Sequence, residues 1–201
     1  MRRAVPLLAA LALLAGCSQT TGGSATGGSA TAGGDPAPTR TTGAGSSEPT
    51  SPSKAPAARP RTIDVAAVDP CAALTEAQRA QFGATVPPRP GTASTFRSPT
   101  CNFSREDHRW GFRVTTVTTT GVSWYTDGSF AVEPEHLEVG GFPAVLGRVP
   151  DDDAVCFLGV DVADGQMLDV QVSGYEDVPS AELCRLAPQI AGAAVETLSN
   201  G

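Results

Sequence analysis

Residues 154–174 read AVCFLGVDVADGQMLDVQVSG and predict a β-hairpin. Its two arms, 154–163 and 167–174, are rich in the β-branched and aromatic residues that favour strands. Polar residues alternate in the second arm with an apolar face that consists of Leu168, Val170 and Val172. Asp164-Gly165, between the arms, is a strong signal for a two-residue turn. The segment therefore predicts two antiparallel strands.

The C-terminal residues 180–200 predict a long amphipathic helix. Ser180 is expected to cap its N-terminus, and Glu182 lies in its first turn. An apolar stripe recurs at helical spacing and consists of Leu183, Leu186, Ala187, Ile190, Ala191, Ala194 and Leu198. A stripe of this width predicts a helix that packs on one face of a sheet.

More strands are predicted upstream of this hairpin. Residues 100–104 and 110–120 form a second hairpin candidate, which turns near residues 106–108. Residues 142–149 form a further strand candidate after Gly140-Gly141. Together with residues 154–174, these segments predict a twisted antiparallel sheet built from hairpins.

Helix and loop signals occupy the start of the same region. Asp69-Pro70 is typical of a helix N-terminus, and Thr75 with Gln78 fits a capping box. These signals predict a short helix, or two joined turns, over about residues 70–82, while residues 87–99 are predicted as a loop. The expected fold class is α+β, in which a short N-terminal helix and a long C-terminal helix pack on the sheet.

Cysteines add covalent constraints to this fold. Cys17 belongs to the export signal described in the next paragraph. Without it, four cysteines remain, namely Cys71, Cys101, Cys156 and Cys184. An even number in an exported domain predicts two disulfide bonds. The turn of the 154–174 hairpin, followed by the C-terminal helix, brings Cys184 near Cys156, so we favour Cys156–Cys184 together with Cys71–Cys101. The pairing Cys71–Cys184 with Cys101–Cys156 remains open from the sequence alone.

The first 17 residues predict a lipoprotein signal peptide. Arg2-Arg3 precedes an apolar run of about 12 residues, too short to span a bilayer. The run ends in Leu14-Ala15-Gly16-Cys17, which is similar to the bacterial lipobox. We expect cleavage after residue 16 and a diacylglyceryl group, with acyl chains such as palmitate, on Cys17. That group would anchor the chain to the extracytoplasmic face of the cell membrane. An ordinary signal peptide and a twin-Arg export signal are the alternatives.

A low-complexity tether is predicted after Cys17. Of the 45 residues in Ser18–Thr62, 38 are Gly, Ser, Thr, Ala or Pro, and none is large and apolar. Such a segment buries too little apolar surface to offset its ordering entropy, so we expect it to be disordered. The predicted organisation is a signal peptide at 1–16, a lipidated cysteine and tether at 17–62, and a disulfide-bonded globular domain at 63–201.

The charge distribution excludes some partners. The chain has a formal charge of −7, and residues 63–201 hold eight Arg and 19 Asp or Glu, a net charge of −11. Because a nucleic-acid surface needs positive charge against the phosphates, we expect no nucleic-acid partner. The N-terminal run is the only long apolar one, which excludes a protein with several membrane spans.

Several short motifs carry a family resemblance. They are the lipobox, the tether, Asp69-Pro70-Cys71-Ala72-Ala73-Leu74-Thr75, Cys101-Asn102-Phe103, Val139-Gly140-Gly141-Phe142-Pro143-Ala144 and the helical Cys184. With them the chain resembles the actinobacterial lipoproteins of domain-of-unknown-function family 3558. The resemblance implies a cell-envelope location and a disulfide-bonded domain, and it brings no established activity and no catalytic residues.

Few residues suggest chemistry. His108 and His136 lie in polar, loop-like surroundings, and Asp151-Asp152-Asp153 lacks the spacing of a calcium loop. The sequence holds no phosphate-loop, dinucleotide or metal-ligand motif, so we predict no catalytic residue, cofactor or metal site. Trp124 and Tyr125 lie in a segment without regular pattern and are candidates for partner contact. The alternative is that they cover one end of the core.

These observations favour a non-catalytic, membrane-anchored binding or interaction module of the cell envelope. Its partner is expected to be an envelope protein, a glycan or a small ligand. One alternative is an envelope hydrolase that uses His108 or His136 with a nearby carboxylate inside a pocket. Another is a small-molecule carrier, which requires an apolar cavity between sheet and helix.

Overall fold

The structure is a computed structural model that describes residues 58–175 and 177–201. The predicted signal peptide, Cys17 and most of the predicted tether lie outside these residues. The α-helices are α1 (Glu76–Gln81) and α2 (Ser180–Asn200), and short 3-10 helices span Pro70–Ala72 and Val122–Tyr125. The strands are β1 (Arg89–Ala93), β2 (Ser98–Ser104), β3 (Trp110–Val117), β4 (Glu133–Val139), β5 (Phe142–Arg148), β6 (Val155–Ala163) and β7 (Gln166–Gly174).

The seven strands form one sheet in which every neighbouring pair is antiparallel. Their order is β1-β2-β3-β7-β6-β5-β4. The hairpin predicted at 154–174 is β6–β7, and it turns at Asp164-Gly165 as expected. In its register Cys156 lies opposite Val172, and Leu158 lies opposite Val170. An antiparallel sheet is therefore confirmed, with this hairpin near its centre.

Helix α2 covers one face of the sheet. Its apolar stripe packs mainly on β6 and β7, and both Leu183 and Ile190 are fully buried there. The same interface contains Leu158, Val170 and Val172, all without exposed surface. The space where a carrier would need an apolar cavity is thus filled by side chains.

The start of α2 differs from its prediction. Ser180 is the first helical residue, and Pro179 takes the N-cap position without a side-chain hydrogen bond. The expected Ser180 cap is therefore wrong. The helix also continues through Pro188, a residue that has no backbone N–H to donate.

Two edge strands replace predicted loops. β1 lies within residues 87–99, and β4 includes His136, whose surroundings were also predicted as loop. Their sequences, RPGTA and EPEHLEV, contain proline and mostly exposed polar residues, so they lack the pattern of a half-buried strand. They are strands because each pairs with an inner neighbour, β1 with β2 and β4 with β5.

Disulfide bonds join the helical segments to the sheet. Cys71 bonds to Cys101 on β2, and Cys156 on β6 bonds to Cys184 on α2. This is the pairing favoured by the hairpin argument above. The loops that they close separate the bonded cysteines by 30 and 28 residues.

The described N-terminal segment docks on the β6–β7 turn end of the sheet. The Arg59 guanidinium forms ion pairs with Asp161 and Asp164, and the Ile63 N–H donates to the carbonyl of Val162 at 2.9 Å. Val65 is 1% exposed. Residues 59–65 are thereby part of the folded domain, whose expected start was residue 63.

Helical structure at residues 70–82 consists of the 3-10 turn Pro70–Ala72 and the six-residue α1. The Asp69 carboxylate caps the turn, and the capping box of Thr75 and Gln78 is formed at α1. Across residues 58–175 and 177–201, no helix combines the length and apolar character that a bilayer crossing requires.

Candidate functional site

The face of the sheet opposite α2 has a covered apolar part and an open polar part. Residues 118–132, which connect β3 to β4, cross this face and pack over the half nearest the β6–β7 turn. Tyr125 of this segment forms an apolar cluster with side chains beneath it, namely Ala93, Phe96, Val117, Val145 and Met167. The other half of the face has no such cover from this segment and is polar.

Tyr125 fixes the crossing segment to the sheet. Its ring lies against Gly147 of β5 and Gly159 of β6, where an added Cβ would come within 3.0 Å and 2.7 Å of ring carbons. The two glycines thus make the slot that the ring occupies. The Tyr125 hydroxyl donates a hydrogen bond to Oδ1 of Asp169 on β7.

Asp169 is a fully enclosed carboxyl group. It is 1% exposed and its Oδ2 has no hydrogen-bond partner among the described residues. Burial raises the pKa of Asp169 to about 6, against the opposing effects of the Tyr125 hydrogen bond and the positive charge of Arg113. The same burial, with the adjacent carboxylate, raises the pKa of Tyr125 well above its usual value.

The uncovered half of the face forms a depression that we name the open trough. Its floor consists of Asn102, Ser104, Arg113, Gln171 and Ser173, which come from β2, β3 and β7. The strand register sets this arrangement, because Arg113 lies opposite both Asn102 and Gln171. The trough has a volume of about 340 Å³, which suits a small molecule or one residue of a polymer.

Arg113 is the central cation of the open trough. It is half-buried, and its Nη2 donates a hydrogen bond to Oε1 of Gln171. The Gln171 amide in turn donates to the Ser173 hydroxyl at 3.0 Å. Within the described residues the guanidinium forms no ion pair, and its buried Nε has no hydrogen-bond partner.

The rim of the open trough carries His108 and Tyr175. His108 is exposed on the β2–β3 turn, and Tyr175 is 64% exposed directly after β7. No Asp or Glu lines the trough within the part of the chain that is described, although residues 63–201 hold 19 of them. The trough therefore differs in electrostatic character from the surface around it.

The predicted partner contacts lie outside this trough. Tyr125 is 2% exposed and leaves almost no side-chain surface for a partner in this fold. Trp124 is half-buried and packs edge-on against Phe96, with ring centroids 5.5 Å apart. Both side chains cover the apolar half of the sheet face, which is the alternative interpretation of these aromatics.

Neither histidine forms the pair that the hydrolase alternative requires. His108 and His136 are exposed, and neither side chain is hydrogen-bonded to a carboxylate in residues 58–175 or 177–201. The carboxylate next to His108, Asp107, instead pairs with Arg105 at 2.7 Å. That guanidinium lowers the pKa of Asp107 to about 2. The described residues also contain no cluster of His, Cys, Asp or Glu able to hold a metal ion.

Sequence reasoning missed Arg113, Gln171 and Asp169 as site residues. The alternation in β7 assigned Gln171 and Asp169 to the same polar face, but it could not show that β3 lies beside β7 on the side away from β6. The usable signal in the sequence was a glycine inside a strand, because such a glycine often marks a place where another group approaches the backbone closely. Gly159 marks the place where the Tyr125 ring packs next to Asp169.

Comparison with known proteins identifies the family. A family described as "Protein of unknown function (DUF3558)" matches residues 12–197. The chain belongs to this family. The DUF3558 match covers the sheet, both disulfide bonds and all of the open trough. No curated protein and no solved structure matches the chain significantly.

Proposed function

We propose that this DUF3558 protein is a lipid-anchored, non-catalytic binding module of the cell envelope that binds its partner in the open trough. The observation that carries the proposal is Arg113, a half-buried cation that forms no direct ion pair with any described residue and whose Nε has no hydrogen-bond partner among them. An unpaired charge at such a site destabilises the fold relative to a paired one. Its presence is understandable if a bound partner supplies the missing interactions.

The anchor part of the proposal is supported by the N-terminal sequence. Positive, apolar and lipobox regions follow in the order of a lipoprotein signal, ending at Cys17. The two disulfide bonds of the domain suit an oxidising, extracytoplasmic location. As in the family resemblance described above, the proposed host is an actinobacterium.

The first experiment tests the anchor. Mass spectrometry of the mature protein should find residues 17–201 with a diacylglyceryl group on Cys17. In a Cys17→Ser variant the domain should leave the membrane fraction. An unmodified mature start, or membrane retention of the variant, would contradict this part.

The second experiment tests binding in the open trough. A photo-crosslinking amino acid at Ser173 of the full chain should form an adduct with an envelope component in intact cells. The matched control is the same amino acid at Glu138, an exposed position on edge strand β4. Equal adduct formation at both positions, or none at Ser173, would contradict a trough-based function.

A further inference from the structure

We infer that the open trough recognises a small polar molecule through a single carboxylate or phosphate group. This inference rests on the proposed binding function and specifies the ligand chemistry. It is carried by the juxtaposition of the unpaired Arg113 guanidinium with Gln171, Ser173 and Asn102 in a depression free of described acidic residues.

The guanidinium of Arg113 has unused hydrogen-bond donors. An arginine offers five N–H groups, and Gln171 accepts from Nη2. Nε has no partner, and no carboxylate of the described residues forms an ion pair with this group. Carboxylate and phosphate oxygens match the planar fork of arginine, so an oxyanion is the group that best satisfies it.

Neighbouring side chains hold Arg113 in place and add polar partners. Gln171 accepts from Arg113 and donates to the Ser173 hydroxyl, which forms a short chain of hydrogen bonds across β3 and β7. The amide of Asn102 and the hydroxyl of Ser104 line the same floor. Once the anionic group of a ligand is bound to Arg113, these side chains are placed to form hydrogen bonds with hydroxyl or amide groups elsewhere on the ligand.

The charge of the domain restricts how many anionic groups the ligand carries. Residues 63–201 have a net charge of −11, which repels nucleic acids and other polyanions at a distance. A molecule with one anionic group experiences less repulsion than a polyanion and gains the local interaction with Arg113. The trough volume of about 340 Å³ also limits the bound part to the size of a small molecule or of one residue of a polymer.

Tyr175 adds an aromatic surface at the mouth. It is the large hydrophobic side chain with substantial exposure among the described residues, at 64%. A ring with an apolar face and a polar tip packs well on a sugar or similar ring. We therefore expect a ring-bearing anion to bind better than a simple anion such as acetate.

The test is calorimetric titration of the full chain with three related probes. Glucuronate carries a carboxylate, glucose 6-phosphate carries a phosphate, and glucose carries neither. At least one of the two anions should bind with a dissociation constant of about 1 mM or below, and glucose at least about tenfold more weakly. The preferred anion identifies which oxyanion the trough selects.

Arg113→Gln should weaken binding of the preferred anion at least about tenfold, and Arg113→Lys should give an intermediate loss. The matched control is Arg109→Gln, since Arg109 is exposed, pairs with Asp177 at 3.0 Å and does not line the trough. If Arg113→Gln lowers the melting temperature, the binding site is instead mapped by NMR on the wild-type protein. Anion binding should then shift the amide signals of Gln171 and Ser173 and leave that of Val145, under the covered half, unchanged.

Two results would overturn the inference. One is that neither anion binds up to about 10 mM, ten times the weakest constant expected. The other is that the anion binds outside the trough. Equal binding in Arg113→Gln and Arg109→Gln would show this, and so would NMR shifts of residues outside the trough. If the Ser173 crosslink forms while the anions fail, the binding function stands and only the ligand class is wrong.

Discussion

At the scale of single residues, Asp169 shows how one covering segment changes a side chain's chemistry. The alternation of residues in β7 assigned Asp169 to a polar face of the sheet. In a sheet with a helix on one face only, a residue on the other face is expected to contact water. Tyr125 and the rest of residues 118–132 cover that position instead, so the carboxyl group is enclosed. Strand periodicity reports the face and cannot report what lies over it.

The enclosed carboxyl group predicts a pH-dependent stability. The pKa of Asp169 is about 6 when folded against 3.8 as the ordinary value, so its contribution is fully present below pH 3.8 and lost as pH rises through 6. Between those values Asp169→Asn should gain up to about 3 kcal/mol in unfolding free energy relative to the wild type. Urea denaturation at several pH values measures this. Parallel curves would contradict it, and the exposed Asp153→Asn serves as control.

The glycine slot under Tyr125 predicts a site-specific cost. In Gly159→Ala the new methyl group would lie 2.7 Å from a carbon of the buried ring, so the ring or strand must shift. We expect a loss of about 1–3 kcal/mol in unfolding free energy, measured by urea denaturation.

Gly192→Ala is the matched control for that substitution. Its methyl group would meet Val139 at 3.8 Å, an ordinary contact, and alanine favours a helix interior. This variant should be as stable as the wild type or more so. Equal losses in both variants would contradict the slot.

At the scale of elements, inner and edge strands differ in how well their sequences define them. β6 and β7 are flanked by strands on both sides, and their apolar residues alternate or run together, so both were predicted nearly to their ends. β1 and β4 each have one neighbour and exposed side chains. They are strands because their backbones pair with β2 and β5, and such pairing leaves no pattern in the sequence.

The two disulfide bonds predict similar stabilisation of their elements. Each closes a loop of about 30 residues, so on the chain-entropy model each should contribute about 3–4 kcal/mol. Cys71→Ala with Cys101→Ala, and Cys156→Ala with Cys184→Ala, should therefore lower the unfolding free energy by similar amounts. Losses that differ by more than a factor of two in denaturation experiments would show that local packing, and not loop closure, dominates.

At the scale of the whole molecule, sequence reasoning predicted the antiparallel sheet and its C-terminal helix. The structure showed which strands are neighbours in that sheet. The neighbour relation of β3 and β7 joins segments about 60 residues apart and creates the trough. No local pattern encodes that relation. The trough residues could therefore be assigned to strands in advance, but not to a common site.

The docking of residues 59–65 predicts where the domain begins. A chain that starts at Ala58 should unfold at the same temperature as the full chain. A chain that starts at Ala66 should lose at least about 3 kcal/mol, because Ile63 and Val65 are buried in the core. Calorimetric melting compares the three proteins. Equal melting of the two truncated chains would show that the domain starts later.

The two ends of β7 have different neighbours. Arg59 and Ile63 hold the incoming chain beside the β6–β7 turn, whereas Gln171 and Ser173 lie in the trough, up to about 20 Å further along the strand. A chain that starts at Ala58 and is immobilised on a sensor chip through that residue would thus present its trough towards the flowing solution.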